Sequence, residues 1–354
     1  MQLSIVLPTY RHGPAAIARI AQACSWAGPK IEVIIRDNSG NAGKRALLDQ
    51  FRRDHCTIVS VGSCTPRENY STALKMATGD FVFCIADDDV CLDRAIEALP
   101  AFIDQHGKDP SVVGVNGSYA LETSQGTSIA TYNDMDSDDA LVRVGSLLQH
   151  TGPNMLFYSA LRRDVVERLL ALFETFPFSF SFHDQILCLL YLINGKFRRM
   201  PRLFYVYDVG LWETFESAQG RDADFYKAAG LELSINKLQW LLCGFEGASL
   251  VMHSDVVPQM QMAQRQAIAD RWFAVMFNRF RGQQRLAFGS PLADEAEKLC
   301  RKLREATGQL TFQSILSEVS AFIALSSPSL AQKYFEYWAT VITSREPCLR
   351  KTGS

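Results

Sequence analysis

Four short, mostly apolar runs, Leu3–Leu7, Ile31–Ile35, Thr57–Val61 and Phe81–Ile85, set the strongest constraint on what this chain can fold into. Between them lie stretches with helical periodicity: about Ala15 to Trp26, ended by Gly28-Pro29, then 41–53, then Glu68 to Ala77. Apolar runs of this kind suit buried strands. Their alternation with helices predicts parallel βαβ units and an α/β fold. Three of the runs end in polar residues: Thr9-Tyr10-Arg11, Asp37-Asn38-Ser39 and Asp87-Asp88-Asp89. In open α/β sheets ligands sit beyond the carboxyl ends of the strands, so three polar ends together predict a binding site there.

The acidic end is the most specific of the three. Adjacent carboxylates repel one another unless a cation neutralises them. Mg²⁺ and Mn²⁺ prefer oxygen ligands and bind through one or two carboxylates plus phosphate oxygens, so a divalent ion bridging a diphosphate fits Asp87-Asp88-Asp89. The plain alternative is a solvated Asp cluster in a turn, capping the helix that starts near Leu92.

Beyond Asp89 the alternation loosens. A helix is expected over Leu92 to Gln105, a strand over Val112 to Tyr119 and a polar loop over 120–139. Helices follow at Leu161 to Phe173 and Asp184 to Ile193, the second ending at the C-cap signal Asn194-Gly195. Phe197 to Tyr207 reads as two strand pieces around Pro201. From about 220 onward the pattern is helical. The expected organisation is a domain over 1–215, with halves 1–110 and 111–215, and a helical region over 216–354. In that region Trp272, Phe273, Phe277 and Phe280 share a helix face, which predicts a core face packing on the first domain. A dimer interface or membrane-surface contact is the alternative. The basic group Lys298, Arg301, Lys302 and Arg304 points to the membrane only weakly, because Glu295, Glu297 and Glu305 dilute it.

Composition narrows the remaining classes. A formal net charge of −2 gives no nucleic-acid signature. No run reaches the roughly 18 apolar residues of a membrane span, and Met1-Gln2-Leu3-Ser4 lacks a basic leader, so a cytoplasmic location is expected, with peripheral membrane attachment as a variant. Nine scattered cysteines without a CxxC pair read as buried thiols.

The ordered set Ser4-Ile5-Val6-Leu7-Pro8-Thr9-Tyr10, Val33-Ile34-Ile35-Arg36-Asp37-Asn38-Ser39, Arg67-Glu68-Asn69, Gly79-Asp80-Phe81-Val82, Asp87-Asp88-Asp89 and His183-Asp184 resembles the family 2 glycosyltransferases. The resemblance covers roughly residues 1–210. It implies a GT-A fold, a Rossmann-like mixed sheet flanked by helices. The implied activity is inverting, metal-dependent transfer of a sugar from a nucleotide diphosphate-sugar, UDP-sugar favoured, to a hydroxyl of a glycan or lipid-linked glycan, as in bacterial surface polysaccharide synthesis.

By the same resemblance, Pro8, Thr9, Tyr10 and Asp37 form the base pocket, and Arg67 and Asn69 lie near the base or diphosphate. Arg36 stands where many relatives carry another Asp. Asp87 or Asp88 faces the ribose, and Asp88 or Asp89 holds Mn²⁺ or Mg²⁺. Asp184 is the general base, with His183 in place of the usual Glu. An Asp in that position also suits a helix N-terminus on structural grounds alone. Asn154, His183 and Trp212 are placed on the acceptor side. The C-terminal helices would serve homo-oligomer formation or acceptor contact.

Other classes fit less well. A sugar nucleotidyltransferase needs a Gly-rich loop after the first strand, and Pro8-Thr9-Tyr10-Arg11-His12-Gly13 is not one. No GxGxxG supports a dehydrogenase, and Gly40-Asn41-Ala42-Gly43-Lys44-Arg45 fails the P-loop spacing. A non-catalytic nucleotide-sugar-binding or scaffold protein is the remaining alternative.

Overall fold

The computed structural model describes residues 1–132, 135–149, 154–178, 182–209, 226–227, 229–255, 257, 260–282, 291–305 and 310–343. The chain divides into two compact units. The first holds Met1–Asp138, Gly152–Glu174 and Asn194–Thr214; the second holds Asp139–Thr151, Thr175–Ile193 and Phe215–Ser354.

The first unit is a mixed sheet with helices. Strand β1 (Leu3–Thr9), helix α1 (Pro14–Ser25), β2 (Ile31–Asp37), α2 (Ala42–Asp49), β3 (Cys56–Ser60), α3 (Pro66–Lys75) and β4 (Phe81–Cys84) alternate as the sequence predicts. β3, β2, β1 and β4 lie side by side and parallel. The side chains of β1, β2 and β4 are mostly buried because both sheet faces are covered there, with Leu3, Ile5, Val6, Leu7, Phe81 and Phe83 fully buried, whereas in the edge strand β3 only Cys56 and Ile58 are buried.

Beyond β4 the order continues through β8 (Ala160–Arg162), β6 (Val112–Thr123), β9 (Lys196–Asp208) and β5 (Val90–Cys91). β8 is antiparallel to both β4 and β6, β6 and β9 run parallel, and β5 is antiparallel to β9. Helix α4 (Asp93–His106) follows β5, and α6 (Arg163–Glu174) follows β8.

Two expectations change here. The stretch 120–139 is not a loop throughout: β6 extends to Thr123 and pairs with β7 (Gly126–Ala130), whose first residue, Gly126, takes φ +123°. The polar residues face out from an exposed hairpin, so the run carries no buried alternation to read. Around Pro201 the two strand pieces are one 13-residue strand whose register against β6 slips between Asn116 and Ser118. Proline lacks the ladder N–H and sits at the irregularity.

The second unit is helical: α5 (Ala140–Gln149), α7 (His183–Asn194), then Gln239–His253, Met262–Gly282, Ala293–Glu305, Phe312–Ala324 and Pro328–Thr343. Its centre is Gln239–His253, which is buried from Leu241 through Met252. Trp272, Phe273, Phe277 and Phe280 are buried as a core face. Part of that face packs on the helix Gln239–His253, where Gly244 and Gly247 let Phe273 and Trp272 approach closely. Among the described residues, no helix is long and apolar enough to cross a membrane.

Candidate functional site

The polar ends of β1, β2 and β4 meet in the first unit. Register pairs Thr9 with Asp37, and Asn38 N–H donates to the Thr9 carbonyl at 3.0 Å. Asp37 is buried, and its carboxylate accepts from Ser39 N–H and Ser39 Oγ, both at 3.1 Å. Gly40 takes φ +64°, a left-handed turn that glycine adopts without strain, and Asn41 then caps α2 by accepting from Lys44 N–H at 2.8 Å. That turn returns Lys44 to the strand ends. Its Nζ lies 2.8 Å from Asp37 Oδ1 and donates to Thr9 Oγ1 at 2.8 Å.

Thr9 Oγ1 passes the chain on, donating to Asp87. Arg11 contacts Asp87 through Nη1, and its Nη2 lies 2.7 Å from Asp88 Oδ2. Burial works against the Arg11 charge, but attraction to Asp88 and Asp87 outweighs it and raises the guanidinium pKa. The guanidinium also sits 5.0 Å over the exposed Tyr10 ring. Asp89 is buried and accepts from Tyr205 OH at 2.7 Å. Burial first, and then the neighbouring Tyr158 and Asp89, push the Tyr205 phenol well above its ordinary range, so it stays a neutral donor. Tyr205 stacks on Tyr158, which neighbours Tyr207 and Phe157.

The three acids therefore differ. Asp87 and Asp89 are buried and anchored to Thr9 and Tyr205, whereas Asp88 has 23% of its side chain exposed. Oxygen donors suit Mn²⁺ or Mg²⁺. Among the described residues no group of three or more His, Cys, Asp or Glu is placed to hold a metal ion.

The structure places other predicted residues apart from this chain of contacts. Asn69 is buried, bonded to the Arg36 side chain, and donates to the Arg36 carbonyl and to Asn38 Oδ1 at 3.1 Å. It braces the end of β2. Arg67 donates to the Phe173 carbonyl near the end of α6. Pro8 is half-buried within β1, and Asn154 precedes the short turn Met155–Phe157. Trp212 lies outside the described residues.

His183 and Asp184 belong to the second unit, in the first turn of α7. Asp184 Oδ1 accepts from Gln185 N–H at 2.7 Å. His183 is buried; its Nε2 is 3.1 Å from Glu246 Oε2, and Tyr334 OH donates to Glu246 Oε1 at 2.8 Å. Burial, then Glu246, pushes the Tyr334 phenol well up. Burial, with Asp184 and Glu246 nearby, does the same to the Cys243 thiol.

Lys44, Arg11, Tyr205 and Glu246 are absent from the residues that the sequence singles out for the site. Arg11 lies in a flagged strand end and Lys44 in the rejected phosphate-loop run. Glu246 is a lone acid in an otherwise apolar stretch.

The model of the family described as Glycosyl transferase family 2 matches residues 4–170. Poly(ribitol-phosphate) beta-N-acetylglucosaminyltransferase TarS from two Staphylococcus aureus strains is 27% identical over 125 residues. That match spans 33% of this chain and only 22% of the relative's length. Crystal structures of S. aureus TarS 1–349 with UDP-GlcNAc and with UDP superpose at TM-scores of 0.55 and 0.54, with 14% and 16% identity. Each covers 97% of this chain and 91% of the other. Identity this low makes the structural likeness a statement about fold. Residues 4–170, just under half of the chain, thus match glycosyl transferase family 2, and the fold is GT-A.

Proposed function

We propose that this chain is a glycosyltransferase that moves a sugar from a nucleotide diphosphate-sugar to a hydroxyl of a glycan or lipid-linked glycan in surface polymer synthesis. One observation carries the reading. The ends of β1, β2 and β4 assemble Asp37, Lys44, Thr9 and Asp87 into one hydrogen-bonded group, joined to Asp88 through Arg11, within the family-matched residues. UDP-GlcNAc is the first donor to test, because the solved TarS structures bind UDP and UDP-GlcNAc.

In this reading Asp37, Thr9 and Tyr10 receive the base and ribose. Asp37 already uses both oxygens, toward Lys44 and Ser39, so it meets the base as a fixed acceptor rather than a mobile one. Asp88, assisted by Asp89, would hold the divalent ion. When bound, that ion supplies charge neutralisation on the departing diphosphate. Asp184 takes the proton from the acceptor hydroxyl as its oxygen attacks the anomeric carbon and the bond to the diphosphate breaks, giving inversion.

Asp184→Asn tests this assignment. The expected result is a fall of about 10²–10⁴ in kcat with donor affinity unchanged. Wild-type transfer by the variant removes Asp184 as the base.

A further inference from the structure

Near the ends of β1, β2 and β3 one row of side chains stays partly open. Pro8, Arg36 and Val59 are register partners on the three strands, so their side chains share one face of the sheet. All three are only half-buried. Arg36 is thus a cation flanked by a proline ring and a valine, at the carboxyl end of a parallel sheet.

Its guanidinium is held, but not by an acid. Nη1 donates to Asn69 Oδ1 and lies 3.5 Å from Cys64 Sγ. Asn69 is braced in turn by the Arg36 carbonyl and Asn38 Oδ1, and Asn38 Nδ2 donates to the Cys64 carbonyl at 2.9 Å. Glu68, an acid that feels the Arg36 charge, is committed to Thr65 at the start of α3. Among the described residues the other guanidinium nitrogens meet no acceptor. An arginine has five N–H groups, so neutral partners fix this one while most of its charged donors stay available.

A nucleobase is flat and largely apolar on its faces and hydrogen-bonding along its edge. A proline–valine surface suits the face, and a fixed cationic donor suits an edge that carries a carbonyl oxygen. An exocyclic amino group in the same place would meet Arg36 donor to donor, and a site built to pair one edge rejects the other.

We propose that Arg36 reads the base of the donor nucleotide, giving its available N–H groups to a ring carbonyl oxygen and so selecting a keto base such as uracil over an amino base such as cytosine. This rests on the reading of the β1 and β2 ends as the nucleotide pocket.

The test is calorimetry on the full chain with UDP and with CDP, in EDTA and again with Mn²⁺. The readout is the ratio of the two dissociation constants, because a damaged fold or a lost phosphate contact weakens both nucleotides alike. Wild type is expected to favour UDP. Arg36→Gln should bind UDP about tenfold more weakly, the scale of one charge-assisted hydrogen bond, with CDP little changed. The glutamine amide presents either N–H or C=O by turning over, so it does not discriminate. Arg36→Lys keeps a charged donor and should keep part of the preference. An unchanged ratio in Arg36→Gln, whether both affinities hold or both fall, overturns the base-reading role. Equal affinity of the wild type for UDP and CDP overturns it too, while the nucleotide pocket stands. Wild type that binds neither nucleotide, with or without the ion, overturns the pocket itself and the role of Arg36 with it.

Discussion

Lys44 Nζ lies 2.8 Å from Asp37 Oδ1, and both side chains are shut away from solvent. A buried pair of this kind gives little net stability over an apolar pair of the same size, yet breaking one half is costly. Its value here is placement: it fixes the carboxylate at the end of β2 and ties Thr9, and through Thr9 Asp87, into one frame.

Lys44→Met leaves Asp37 buried without its cation. We expect a loss of about 3–5 kcal/mol in unfolding free energy, measured by urea denaturation, together with weaker nucleotide binding. A variant as stable as wild type would show that Asp37 does not depend on this pair.

In the helical unit, Glu246 is buried with one oxygen on His183 and the other on Tyr334. Glu246→Ala strips both partners of their acceptor and should cost about 3–5 kcal/mol. Tyr334→Phe removes one bond and leaves the His183 contact, so about 1 kcal/mol is expected. Equal losses in thermal unfolding would contradict this ranking.

Gly247 faces the Trp272 indole, whose N–H donates to the Cys243 carbonyl at 2.9 Å. A methyl at Gly247 collides with that ring. Gly247→Ala should cost about 1–3 kcal/mol despite the better helix propensity of alanine. The near-ultraviolet circular dichroism of Trp272 should change with it. Stabilisation with an unchanged spectrum would show that the helices separate without penalty.

How much of this was legible in the sequence depended on burial. β1 to β4 are continuous apolar runs because both faces of a parallel sheet are covered, and their ends announced the site. β5 and β8 are two and three residues long, and only their partners, β9 for β5 and β4 and β6 for β8, make them strands. Helix α5 went unread because it follows the polar span that also hid β7. In the site, Asp37 and the acids at 87–89 could be named from their place at strand ends. Lys44 could not, since it reaches Asp37 only through the turn at Gly40. Glu246 read as an interruption of an apolar helix, and its partners lie 63 and 88 residues away in the chain.

Acid should unfold the first unit by a route that its surface carboxylates define. Lys75, then Ser71, holds the Glu174 carboxyl below its ordinary 4.5, and the N-terminal ammonium, then Lys30, holds Asp104 below 3.8. A depressed folded pKa contributes stability that is complete above the unfolded value and is lost as pH falls through the folded one. Unfolding free energy should therefore decline below about pH 4.5, and Glu174→Gln should flatten that decline. Urea titrations at a series of pH values check it; an unchanged slope in the variant rules Glu174 out as a contributor.

Calorimetric titration with UDP, GDP, CDP and dTDP, each with and without Mn²⁺, tests the central claim most directly. We predict that UDP alone of the four binds well, that Mn²⁺ strengthens its binding, and that replacing Asp88 and Asp89 together with Ala removes the metal effect. Absence of binding by any nucleotide, with or without the ion, would contradict the glycosyltransferase reading and leave a non-catalytic scaffold as the better account.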